Sequence, residues 1–127
     1  MTFEIIHTYT RAQAIADGVL KDVTETAREA GFTHHAVVTE GVWNQCVALS
    51  EAARNAGCDE RGRLWDVVWM ASCAARKAAR GKPTDRVEFQ IYSVVDRVEP
   101  ELVDLWLHCG PGDNGEPVLT IMLQGED

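Results

Sequence analysis

A chain of 127 residues with 46% apolar and 25% charged residues has the size and balance of one globular domain. It can bury a core without disulfides or a metal, and its apolar content excludes wholesale disorder. The net charge of −8 argues against a general nucleic-acid binder, because phosphate contacts need a positive surface, and it leaves room for a basic protein partner.

Residues 1–7 lack a basic leader followed by a long apolar run. No later stretch approaches the roughly 18 uncharged residues of a membrane span, so a cytoplasmic chain is expected. Thr10 and Gln13 have the spacing of a capping box, which predicts a short helix ended by Asp17 and Gly18. Residues 19–24 have β-branched character and predict a short strand or extended segment, after which Thr26 and Glu29 form a second capping box leading to Gly31. Residues 36–39 are a brief β-prone run, and Thr39 with Glu40 supplies a cap and a first-turn acid for a helix over 41–56.

The strongest helical pattern covers 64–79. Leu64, Val68, Ala71, Ala75 and Ala78 make one stripe, Trp65 and Trp69 sit one turn apart beside it, and Gly81 and Pro83 end it. From Val87 the period changes to two: Val87, Phe89 and Ile91 alternate with Glu88, Gln90 and Tyr92. Strands over 102–109 and 118–123 flank a loop of glycines and prolines at 110–117, which predicts a hairpin. The expected fold is therefore α+β in a single domain, with helices in the N-terminal two-thirds packed on a C-terminal three-stranded antiparallel β-meander.

The motifs of chemistry are sparse. The loop at 110–117 lacks the Lys-Ser/Thr ending of a phosphate-binding loop and carries Asp113 and Glu116, which would repel phosphate. Adjacent His34 and His35 on a strand would point to opposite faces, with no supporting ligand at a useful spacing, so no metal site is expected. Cys46, Cys58, Cys73 and Cys109 form no C-x-x-C pair and read as reduced, mostly packed thiols. A cysteine nucleophile at Cys46 or Cys58 would need a histidine brought to it by the fold. No catalytic residue or cofactor is assigned.

Four tryptophans are many for this length, and tryptophan both fills cores and anchors interfaces. Trp65 and Trp69 read as core. Trp106 shares a strand face with Asp104 and His108, opposite Val103, Leu105 and Leu107, and is a candidate contact residue. Residues 61–86 hold seven basic groups against Asp66 and Asp85, whereas 98–127 hold seven acids and no lysine or arginine. This bipolar layout singles out Glu99, Glu101, Asp104, Asp113 and Glu116, with Trp106, as a partner-binding set for a basic protein surface.

The segments at 10–20, 25–32, 62–71 and 110–118 resemble an uncharacterised family of small proteins found on bacterial plasmids, integrative elements and phages. The resemblance covers almost the whole chain and brings no catalytic residues. The mobile-element setting it implies suggests a non-enzymatic inhibitor of a host defence complex, either a CRISPR effector or a restriction system, acting through the acidic surface. The alternatives are a small enzyme or ligand-binding domain with a site assembled from separated residues, and a plasmid regulatory protein binding DNA through 61–86.

Overall fold

The computed structural model describes residues 9–82 and 84–126. The expectations placed on residues 1–7, Pro83 and Asp127 lie outside these. The helices are α1 (Arg11–Ala16), α2 (Thr24–Glu29), α3 (Glu40–Val42, continued by a π-helical turn Trp43–Val47), α4 (Glu51–Asn55) and α5 (Glu60–Ala78). The strands are β1 (Leu20–Asp22), β2 (His35–Thr39), β3 (Arg86–Ser93), β4 (Glu101–Pro111) and β5 (Pro117–Leu123).

The sheet has five strands in the order β1-β2-β5-β4-β3, mixed because β2 pairs parallel with β5 while every other pair is antiparallel. The α+β class holds, but the expected three-stranded meander does not: β3, β4 and β5 are one part of a larger sheet. The reason lies in β2. Ala36, Val37 and Val38 are all buried, so the strand reads as a continuous apolar run without the alternation that marks a half-exposed strand. Its partner β5 is also remote in sequence.

Helices α2 and α5 and the π-helical turn close over one face of this sheet. Val38, Leu105, Leu107, Leu119 and Ile121 from the strands meet Ala27, Val42, Val47, Val67, Val68 and Ala71 in one core. The capping box of α1 forms as expected, with Gln13 N donating to Thr10 Oγ1 at 3.0 Å and Thr10 N to Gln13 Oε1 at 3.0 Å. The second does not: α2 begins at Thr24, whose amide donates to Asp22 Oδ1 at 2.9 Å, so Thr26 lies inside the helix.

The helix expected over 41–56 is broken. Thr39 caps its start, with Val42 N donating to Thr39 Oγ1 at 3.2 Å, but the chain widens into the π-helical turn and leaves the helix at Ala48 (φ −59°, ψ 143°). Ser50 then caps α4 through Ala53 N at 3.0 Å. Helix α5 starts a turn earlier than its apolar stripe because Asp59 Oδ1 accepts from Gly62 N at 2.7 Å. Among the described residues no helix is long and apolar enough to cross a membrane.

Candidate interaction surface

The two halves of the sheet's other face are treated differently. Helix α1 packs beside β1 and reaches β5 through Arg11, whose guanidinium donates to Thr120 Oγ1 at 3.0 Å and to the Leu119 carbonyl at 2.7 Å. Asp113 in the β4–β5 hairpin fastens the start of that helix, accepting from Arg11 N at 2.8 Å and Ala12 N at 3.0 Å. These two amides hold the Asp113 carboxyl below the usual carboxylate range. Val37 and Val118 are buried on this half.

Over β3 and β4 the outer face is open. Its ranks are set by register: Arg86 opposite His108, Glu88 opposite Trp106, Gln90 opposite Asp104 and Tyr92 opposite Leu102. Tyr92 is 75% exposed and Leu102 50%, an apolar cross-strand pair facing solvent. Trp106 is half-buried, with the Arg86 guanidinium 4.2 Å above its ring centre and Met122 beside it on β5. Its indole Nε1 is buried without an acceptor among the described residues. Asp104 accepts from the Gln90 side-chain amide.

The six residues singled out from the sequence do not form one patch. Glu99 in the β3–β4 connection, Glu101 and Asp104 are exposed at one end of β4, and Asp96 in the same connection joins them. Asp113 and Glu116 lie past the other end, and the ten steps from Glu101 to Pro111 span about 33 Å at roughly 3.3 Å per residue. Trp106 falls between the two groups. Asp113 is committed to α1, and Glu116 Oε1 accepts from Asn114 N at 3.3 Å within the hairpin.

The basic stretch at 61–86 is likewise dispersed. Arg63 is buried, donating from Nε to the Cys46 carbonyl and from Nη2 to the Gln45 carbonyl and Ser93 Oγ, all at 2.9 Å. Arg76 donates to the Ala30 carbonyl at 3.1 Å and covers the Trp69 ring at 5.1 Å. Arg86 belongs to the outer face of the sheet. Trp65 and Trp69 stack with ring centres 5.6 Å apart, yet Trp69 is 38% exposed rather than core.

Sequence reasoning missed the node around Arg63, because charge alone signalled a surface residue. The π-helical turn frees the Gln45 and Cys46 carbonyls that the guanidinium takes, and Ser93 Oγ donates back to the Gln45 carbonyl at 2.9 Å. Beside it the Cys46 thiol is pushed up to about 11 by burial, against the opposing pull of Arg63 and a Ser93 hydrogen bond. Cys46 is thus a packed thiol, the opposite of an activated nucleophile. His34 is exposed, and His35 meets Asp22 Oδ2 at 3.1 Å. Among the described residues no three His, Cys, Asp or Glu side chains gather as metal ligands.

A family model matches residues 1–127 from end to end. The chain belongs to DUF6573, a family of unknown function. No curated protein and no solved structure matches this DUF6573 chain. For this DUF6573 chain, then, the surface itself carries the functional argument: the β2–β5 half of the outer sheet face is buried at Val37 and Val118, and the β3–β4 half is exposed at Tyr92 and Leu102, with acids at one end.

Proposed function

We propose that this chain is a non-enzymatic binding module whose contact surface is the open outer face of β3 and β4. The observation that carries this is the contrast between the two halves of one sheet face. On the half formed by β2 and β5, Val37 and Val118 are buried; on the half formed by β3 and β4, Tyr92 and Leu102 stand in solvent. An aromatic and an aliphatic side chain paired across two strands, with a tryptophan under a guanidinium on the same face beyond the Gln90–Asp104 pair, have the composition of an interface core. Asp104 on this face, with Glu99 and Glu101 at the end of β4, where Glu101 takes the opposite face of the strand, gives its margin a negative charge suited to a basic protein surface.

In its specific form the partner is a nucleic-acid-handling defence complex, a CRISPR effector or restriction enzyme, met by a protein carried on a mobile genetic element. The acids along β4 would then occupy a Lys/Arg-lined groove built for phosphates. The test is inhibition of such a complex by the wild-type chain and by a variant with Glu99, Glu101 and Asp104 all changed to Lys. Loss of inhibition in a folded variant is expected, and undiminished inhibition overturns the acidic-surface mechanism.

A further inference from the structure

The sheet ends on one side in β1, three residues long, and on the other in β3, eight residues long. Among the described residues no strand pairs with the outer edge of β3. A long free edge is a template for another strand, and proteins usually blunt it with proline, lysine or an inward-pointing charge. Strand β3 has no proline, lysine or inward-pointing charge: its inner face is Val87, Phe89, Ile91 and Ser93, and its outer face Arg86, Glu88, Gln90 and Tyr92. Only its start is capped, by Thr84 Oγ1, which accepts from Arg86 N at 3.2 Å and donates to the Arg86 carbonyl at 3.0 Å and would give way to an added strand.

We infer that the β3 edge pairs with the β3 edge of a second copy of this chain, antiparallel about a two-fold axis at Phe89. A two-fold axis normal to the sheet keeps outer residues opposite outer residues, so only registers centred on a residue are allowed. Centring on Glu88 sets that carboxylate against its own copy, which is repulsive. Centring on Gln90 leaves Arg86 opposite Val94, beyond the strand. Centring on Phe89 pairs the strand over 86–92, with Val87 opposite Ile91, Glu88 opposite Gln90, and Arg86 opposite Tyr92 of the second copy. The last pair is complementary: the Arg86 guanidinium already lies on Trp106, and the exposed Tyr92 ring of the second copy arrives beside it at each end of the interface. Two five-stranded sheets become one of ten strands. The pairing is made by the edge of β3 and shares Tyr92 and Arg86 with the outer face, and its test reads association of the chain with itself in the absence of any other partner.

Sedimentation velocity of the whole chain over a range of concentrations, with Tyr92→Arg and Tyr92→Glu, tests both the dimer and its register. Wild type is expected to show a concentration-dependent dimer. Y92R places like charges at both ends and should weaken it by about tenfold. Y92E places a carboxylate opposite Arg86 and should hold the dimer better than Y92R. Bulk repulsion between chains of net charge −8 ranks the two variants the other way, because Y92E adds negative charge and Y92R removes it. A wild-type monomer throughout, the reverse ranking, or a dimer indifferent to both changes overturns the inference. If either variant fails to fold, hydrogen exchange of the wild type decides. Amides of β3 must gain protection with rising concentration while those of β1 do not, and equal behaviour of the two edges overturns the pairing.

Discussion

Arg63 holds a positive charge inside the molecule with neutral acceptors, two carbonyls and the Ser93 hydroxyl, and its Nη1 is buried without an acceptor among the described residues. Removing the guanidinium takes a donor from all three acceptors and leaves the Gln45 carbonyl only that of Ser93 Oγ, which costs more than any single hydrogen bond contributes. Arg63→Met should therefore lower the unfolding free energy by about 3 kcal/mol, and Ser93→Ala by about 1 kcal/mol, in urea titrations. Asp113 gives a pH signature. Its folded-state pKa lies below the ordinary value, so its stabilisation is present above the usual carboxylate range and is lost as pH falls through the folded value. Asp22 acts in the same direction: burial pushes it up, and the Thr24 hydroxyl and amide with His35 outweigh that. The melting temperature of wild type should fall more steeply than that of Asp113→Ala on acidification below about pH 4. The Thr10–Gln13 capping box was legible because both partners are three residues apart. Arg63 was not, since its acceptors come from a turn 17 residues earlier and a strand 30 residues later.

At the scale of elements, β5 is the central strand, parallel to β2 on one side and antiparallel to β4 on the other. Ile121 is 2% exposed there, and Ile121→Ala should cost about 3 kcal/mol of stability by urea unfolding. Ser50 begins α4 and also donates to the Val95 carbonyl at 2.9 Å, so Ser50→Ala should cost about 1 kcal/mol in the same measurement. Strands β3, β4 and β5 were visible in the sequence from their alternation and the hairpin between β4 and β5. The runs at 19–24 and 36–39 were also legible as extended, and they contain β1 and β2, but their joining to this sheet was not, because a parallel partner gives no local turn to announce it. The break after Val47 escaped for a related reason. Val42, Cys46, Leu49 and Ala53 keep helical spacing across 42–53 even though the backbone leaves the helix at Ala48.

For the molecule as a whole, the charge layout of the chain became something different in three dimensions. The acidic segment divides between the two ends of β4, and Asp113 is spent on fastening α1, which leaves Glu99, Glu101 and Asp104 as the end that adjoins the open aromatic face. A count along the sequence could not separate these groups, because strand length sets their distance. The measurement that bears most directly on the binding surface is a paired pull-down from host lysate. One bait carries Glu99, Glu101 and Asp104 changed to Lys; the other carries Glu116→Lys at the far end, and both are checked for fold by circular dichroism. Binding through the outer face of β3 and β4 predicts that a protein retained by wild type is lost by the first bait and kept by the second. Retention by both baits, or equal loss from both, contradicts it.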